Sequence, residues 1–302
     1  MKFDEAAVLD LGRHDPIGPD HEQEIYCDSQ AQVFGDSEKY PIKIDQENEL
    51  DDFSVEHYHQ LRLENNITKS VLIQPDQYGT DHSCLMDSMF WLKNNSESHS
   101  NTEIKGVGIV QPDIEDAELE KLKTAGLVGI KFVMGSNETL MDWDEADRLA
   151  WRIHDIGWDV QLQMDGSDLH EVEQRIRSWP GRIVFSHIGM FLRTKKTQQR
   201  GFTALTRLID RDKAWVKLSA PYITSEIGEV NDPEINDLAR SLVEWAPERM
   251  VWGTNWPHLE KLENPPEMNV LLKLARDWVP EASRRKLIMW ENPILLYGFS
   301  KD

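Results

Sequence analysis

Cysteine is nearly absent. Cys27 and Cys84 are the only two in 302 residues, too few for a disulfide framework or a cysteine zinc site. Positive charge is scarce: 33 Lys+Arg stand against 54 Asp+Glu, a formal net charge of −21. A chain this acidic is repelled by a phosphate backbone, which argues against nucleic acid as a partner. No stretch reaches the about 18 apolar residues of a membrane span, so no membrane partner is expected. The first 24 residues lack the basic and apolar regions of a signal peptide, which points to a cytoplasmic location. No G-x-G-x-x-G follows the first apolar run, and G-x-x-x-x-G-K-[ST] does not occur. Their absence removes the two commonest nucleotide-binding readings. There is no long Gly/Ser/Pro linker, so one domain is expected.

What is present is a regular alternation. The 11 Trp, 9 Phe and 6 Tyr are too many aromatics for a disordered chain. Eight short runs rich in Val and Ile read as strands buried on both faces: Glu24–Ser29, Ser70–Gln74, Gly106–Gln111, Val128–Val133, Asp159–Gln163, Arg182–His187, Trp215–Ser219 and Met250–Thr254. Between them, Asp51–Glu64, Ser83–Lys93, Glu115–Thr124, Trp143–Ile156, Leu169–Trp179, Phe202–Asp210 and Glu234–Trp245 carry apolar residues at helical spacing. Pro266–Trp278 and Ala282–Tyr297 supply the last helices. Eight βα units over this length predict a single-domain α/β fold, a closed (β/α)8 TIM barrel over residues 23–302, with residues 1–22 as an N-terminal arm. Val33–Glu49 is long for a βα loop and is expected to line the site.

In such a barrel the chemistry sits at the C-terminal ends of the strands. Those ends carry Asp28, Gln30 and Gln32 on the first strand and Gln74, Asp76 and Tyr78 on the second. They continue with Lys131, then Gln161 and Gln163, then His187, then Lys217, Ser219 and Tyr222, and last Asn255, Trp256 and His258. Most are neutral amides and hydroxyls. Each also fits a plainer role: glutamines close strands, alternation alone puts Gln161 and Gln163 on one face, and most Trp are core. His57, His59 and His82 read as solvated. Whether Lys217 faces inward depends on the parity of its strand.

The order and content of these ends resemble the amidohydrolase-2 family. Asp28-Ser29-Gln30-Ala31-Gln32-Val33-Phe34-Gly35 resembles its opening D-[ST]-H-x-H-V-F-G. Leu72-Ile73-Gln74-Pro75, Gly129-Ile130-Lys131-Phe132, Ser186-His187-Ile188-Gly189 and Trp215-Val216-Lys217-Leu218-Ser219 resemble its second, fourth, sixth and seventh strands. Trp252-Gly253-Thr254-Asn255-Trp256-Pro257-His258 resembles W-G-[TS]-D-W-P-H of the eighth, and Asn292-Pro293-Ile294-Leu295-Leu296-Tyr297 the closing tail. The match covers about residues 24–300, nearest to the 2-pyrone-4,6-dicarboxylate lactonase and sugar-lactonase group. That resemblance implies hydrolysis or isomerisation of a cyclic ester, a small-molecule substrate and little or no need for a metal. It also implies that the H-x-H pair and the strand-six His surround the lactone carbonyl, while the strand-eight Asp activates water.

The chain departs from the pattern at those very positions. Gln30 and Gln32 replace both His, Asn255 replaces Asp, and Met190 stands where relatives often carry Arg. A neutral amide is a poor zinc ligand and cannot act as a general base near neutral pH. An Asp→Asn exchange made to trap a ligand would account for Asn255 and not for the glutamines. Amides do keep donors and acceptors, so Gln30, Gln32 and Asn255, with Lys131 and Ser219, can bind and polarise a carbonyl. His187 is the main acid/base group retained.

The expectation is therefore a metal-independent enzyme acting on a lactone or related carbonyl-rich small molecule, with no cofactor. Its catalytic candidates are His187, Asn255, Lys131, Gln30 and Gln32. Tyr78, Gln163, Met190, Ser219, Tyr222, Trp256 and His258 are the substrate-binding candidates. Two alternatives remain: a non-hydrolytic isomerase, lyase or cyclase, and a catalytically dead ligand-binding barrel. The sequence leaves open whether the chain forms a homo-oligomer.

Overall fold

The computed structural model describes residues 24–42, 50, 53–95, 102–135, 141–193 and 195–301. The expected arm at residues 1–22 lies outside the described residues, as do residues 43–49 of the loop expected to line the site.

Eight strands form one parallel sheet in sequence order: β1 (Tyr26–Ala31), β2 (Ile67–Ile73), β3 (Glu103–Gly108), β4 (Leu127–Val133), β5 (Asp159–Gln163), β6 (Ile183–Phe185), β7 (Ala214–Leu218) and β8 (Met250–Trp252). The sheet closes where the segment after β8 returns to β1. Asn255 N donates to Gln30 O at 2.7 Å and Gln32 N to Trp256 O at 2.8 Å. The buried Asp28 carboxylate reinforces that seam, accepting from Thr254 N (2.9 Å), Thr254 Oγ1 (2.6 Å), Tyr58 Oη (2.9 Å) and its own Gln30 N (3.1 Å). The expected (β/α)8 barrel is present.

The outer ring holds α1 (Val55–Glu64), α2 (Ser83–Asn94), α3 (Asp116–Ala125), α4 (Trp143–Asp155), α5 (Leu169–Ser178) and α6 (Arg200–Ile209). A short α7 (Pro221–Thr224) follows, then α8 (Pro233–Trp245), α9 (Met268–Trp278) and α10 (Ala282–Lys286), and α11 (Asn292–Tyr297) packs against the barrel floor. Local chemistry sets their limits. A reciprocal capping box between Asp142 and Glu145 opens α4, and Pro233 begins α8 where its missing N–H is harmless. Helices α4 and α8 bury Ala146, Leu149, Ile153, Leu238 and Leu242 against the strands, the apolar stripe that their spacing predicts.

Several strand boundaries shift by up to three residues from the predicted runs, and two departures have a local cause. β3 lies three residues earlier than its apolar run suggests, because Ile109 N leaves the ladder and donates to His82 Nε2 at 3.2 Å. His82, read as solvated, is therefore buried, and burial lowers its pKa to about 4. The last predicted helix is broken by a π-helical turn at Leu287–Glu291 ahead of Pro293, a residue with no N–H for a regular ladder.

The barrel interior is layered. Its floor is apolar: Cys27, Val71, Ile73, Val107, Val184, Trp215 and Val251 pack against Ile294, Leu296, Tyr297 and Phe299 of the C-terminal segment. One layer higher the lining turns polar. On β7 the period of two carries the chain from Trp215 in the floor to Lys217 and then Ser219. On β5 it carries Asp159 to Gln161 and Gln163, with Lys131 of β4 in register beside Gln161. Gly253, just after β8, makes this layer possible. A Cβ there would meet Gln30 Cβ at 2.6 Å, so only glycine lets the Gln30 side chain enter.

Candidate active site

The polar layer is built around the buried Nζ of Lys217, whose pKa burial pushes well below the ordinary lysine value. Lys217 Nζ donates to Ser29 O (2.7 Å), Gln30 Oε1 (2.9 Å) and Gln161 Oε1 (2.6 Å), and the residue has no exposure. Gln161 Nε2 in turn lies 3.3 Å from both Gln30 Oε1 and Ser186 Oγ. A second run of bonds leaves Gln30 toward the barrel mouth. Gln30 Nε2 donates to Asn255 Oδ1 at 3.4 Å, and Asn255 Nδ2 donates to Tyr222 Oη at 2.9 Å. Tyr222 Oη lies 2.9 Å from His258 Nδ1.

His187 sits beside this network. Its Nδ1 is 3.2 Å from Ser219 Oγ and the ring is 4% exposed. Burial, helped by the positive charges of Lys217 and Lys131, lowers its pKa to about 3. The imidazole is neutral at pH 7. Burial likewise lowers His258 to about 4 and pushes the Tyr222 phenol up.

The backbone here is unusual. His187, Ile188 and Met190 have φ of 49°, 57° and 49°, and Asn255 and His258 have 62° and 68°. A β-branched residue such as Ile188 resists the left-handed region. Thr224 Oγ1 holds the segment by donating to His187 O at 2.7 Å, and Gly166 N donates to Met190 O at 2.9 Å. Such conformations cost about 1–3 kcal/mol each and gather at functional sites.

Of the twelve candidate residues, the structure joins Gln30, Asn255, Tyr222 and His258 in one network, with His187 and Ser219 as a neighbouring pair. Lys131 is buried but ion-paired to Asp76 Oδ1 at 2.8 Å. Gln32, Gln163 and Met190 are half-buried at the strand ends. Tyr78 and Trp256 are not brought to the amides. Tyr78 packs on Phe34 and accepts from Gly35 N at 3.1 Å. The Trp256 ring lies 5.3 Å from Tyr58 and 6.1 Å from Phe53, toward α1. Both hold the β1–α1 loop. Gln161, Ser186 and Lys217 join the network from outside the twelve: Lys217 is a secondary acid/base candidate whose facing the sequence leaves open, Gln161 a strand-end residue, and Ser186 is not singled out. The period of two on β5 and β7 was the signal for Gln161 and Lys217.

Parallel strands that gather hydrogen-bonding groups at their carboxyl ends define a barrel of the enzyme type. The chain belongs to the amidohydrolase family: the Amidohydro_2 model, described as Amidohydrolase, matches residues 19–299. The chain is 28% identical over 278 residues to the 4-sulfomuconolactone hydrolase of Hydrogenophaga intermedia, covering 90% of this chain and 88% of that protein. It is 27% identical over 281 residues to the 2-pyrone-4,6-dicarboxylate hydrolase of Comamonas testosteroni, covering 89% of each. It is 32% identical over 196 residues to the D-galactarolactone isomerase of Agrobacterium fabrum, covering 64% of this chain and 66% of that one. The resemblance carried by the strand-end motifs is borne out.

A divalent metal does not fit this donor set. His187 and His258 are its ordinary zinc ligands, and their Nδ1 atoms are engaged by Ser219 Oγ and Tyr222 Oη. The Gln30 and Gln161 carbonyl oxygens are engaged by an ammonium, and Asn255 Oδ1 by Gln30. Among the described residues no group of three His, Cys, Asp or Glu could hold a metal ion, and no helix is long and apolar enough to cross a membrane.

Proposed function

We propose that this protein is a metal-independent lactone-acting enzyme in which His187 is the acid/base group and the Gln30–Asn255–Tyr222–His258 chain binds and polarises the carbonyl. The observation that carries it is the neutral His187 beside a continuous hydrogen-bond chain, with an amide where a strand-eight carboxylate would act as base. The relatives support the substrate class, since they are named for two lactone hydrolases and a lactone isomerase. In its Nδ1–H tautomer His187 donates to Ser219 Oγ, and Nε2 is left with a lone pair. That lone pair takes a proton either from the carbon next to the lactone carbonyl, which gives isomerisation or elimination, or from an attacking water, which gives hydrolysis. Amide and phenol donors then stabilise the charge that develops on the carbonyl oxygen.

The same geometry selects by charge. Lys131 is neutralised by Asp76 and Lys217 is sealed among three oxygens. Glu260 lies near enough to Lys131 and Asp76 to feel both charges. Among the described residues, the barrel strands bring no free cation to the mouth for a dianion. Neutral or singly charged lactones are therefore expected to be turned over with kcat/KM at least about tenfold above dicarboxylate lactones, a difference of about one net hydrogen bond or exposed ion pair. A panel followed by NMR in H2(18)O and in D2O checks this. Label in the product carboxylate means hydrolysis; deuterium at the α-carbon means isomerisation. A panel in which only di- and tricarboxylates react reverses the charge reading, and one that binds but never reacts favours the dead barrel.

Metal independence has its own check. Purified protein is expected to hold well under one zinc per chain, because amides stand at three positions of the site and the described residues bring no third His, Cys or carboxylate to its two imidazoles. Chelator is expected to leave activity unchanged. Stoichiometric zinc, lost together with activity, would overturn it.

A further inference from the structure

Lys217 lies at the centre of the site with no part in the chemistry above. Its three acceptors come from a backbone carbonyl and two side-chain amides, and none is a carboxylate. An ammonium has three donors and no acceptor, so three oxygens within 2.9 Å match it one for one. A neutral amine has two donors and would turn a lone pair toward the third oxygen. Burial pushes the Lys217 pKa down, and the three dipoles aimed at Nζ oppose that shift.

This ammonium sets the orientation of everything attached to it. An amide has an oxygen end and an NH2 end. Gln30 gives its oxygen to Lys217, so its nitrogen faces Asn255 Oδ1. Asn255 must then turn its own nitrogen outward, to Tyr222 Oη. Tyr222 accepts that bond, and its single proton goes to His258 Nδ1. His258 is left with its proton on Nε2. Each step follows from the one before, and reversing the first reverses them all.

We propose that Lys217 is a positioning residue whose buried charge, acting through Gln30, sets the direction of the chain to Asn255, Tyr222 and His258 and makes His258 an Nε2–H donor. It rests on the reading that these amides bind the carbonyl, and it says why they present donors outward rather than acceptors. A fixed positive charge in a low-dielectric interior also polarises the bonds that follow it. Lys217 thus anchors, through three donated bonds, a site whose amides do not suit a divalent metal.

The test reads the tautomer of His258 and needs no substrate. Full-length protein labelled with (15)N-histidine is studied by NMR at neutral pH, with His258→Asn used to assign the signal. The Nε2–H form of His258 is expected to exceed the Nδ1–H form by about tenfold or more, the weight of one net hydrogen bond. Gln30→Glu keeps the size and the bond to Lys217 but removes the donor to Asn255. Asn255, Tyr222 and His258 should each turn over, and the ratio should invert in favour of Nδ1–H. Lys217→Met should move it the same way, by freeing Gln30 to present its oxygen to Asn255. A wild-type His258 in the Nδ1–H form overturns the proposal. So does a folded Gln30→Glu that keeps the wild-type ratio. The wild type and Gln30→Glu decide the matter even where Lys217→Met fails to fold. Because turnover is not the readout, failure here is distinct from failure of the lactone reading.

Discussion

His187→Ala is expected to lower kcat by about 10²–10⁴-fold, the usual contribution of a positioned acid/base group, with a far smaller change in KM. The imidazole is buried, paired with Ser219 Oγ at 3.2 Å, and flanked by two lysines. His187 also sits at a φ of 49°, which alanine tolerates poorly. His187→Asn is the companion variant, since asparagine accepts the left-handed region; it should lose as much activity while keeping the circular dichroism of the wild type. The pH profile is a second measure. A general base works in its neutral form, so activity falls as pH drops through its pKa. With that pKa lowered to about 3, kcat/KM should be level from about pH 5 to 8, where an ordinary histidine inflects near about 6.5. Full activity in both variants would mean catalysis by positioning and polarisation alone. A wild-type inflection near neutrality that vanishes in His187→Asn would mean that the ring is solvated when it works.

Asn255→Asp separates two chemistries by sign. In the structure Asn255 accepts from Gln30 Nε2 and donates to Tyr222 Oη. An ionised aspartate accepts the first bond and cannot make the second. Tyr222 would then turn its proton to the new carboxylate, and His258 Nδ1 would lose its donor. If the site works through outward-facing donors, kcat should fall by about 10²-fold, the scale of losing one donor to a developing oxyanion. If the native reaction is base-assisted hydrolysis handicapped by the amide, the same change should raise hydrolysis by about 10²–10⁴-fold. Asparagine and aspartate both accept the φ of 62° found here, so the backbone does not confuse the outcome. One variant assayed on one reactive lactone is sufficient.

The linear chain carried much of the architecture. Each of the eight apolar runs contains half or more of a barrel strand, because strands buried on both faces must be apolar throughout and helices on one face need only a stripe. Gln30, His187 and Asn255 were readable together because strand ends in a barrel meet at one mouth whatever their separation in sequence. Their neutral amides already pointed away from zinc and from a carboxylate base, since those are properties of the side chains themselves.

Other parts depended on contacts between distant segments. Periodicity places Trp215, Lys217 and Ser219 on one face but does not say which face turns inward; closure of the barrel over an apolar floor decided it. Lys131 was a catalytic candidate by its place on the fourth strand, and only the fold brought Asp76 to within 2.8 Å of it. Tyr78 and Trp256 looked like pocket walls, and the packing around α1 and the β1–α1 loop claimed both. His82 looked solvated until β3 needed an acceptor for Ile109 N. Residue type and local period thus determined the barrel and the chemical character of its mouth, because both depend on each residue's own polarity and its near neighbours. Which groups are paired, and which way each amide points, was settled only by the tertiary structure, because a hydrogen bond requires two atoms within about 3 Å and those atoms come from segments as distant as Gln30 and Asn255, 225 residues apart in the chain.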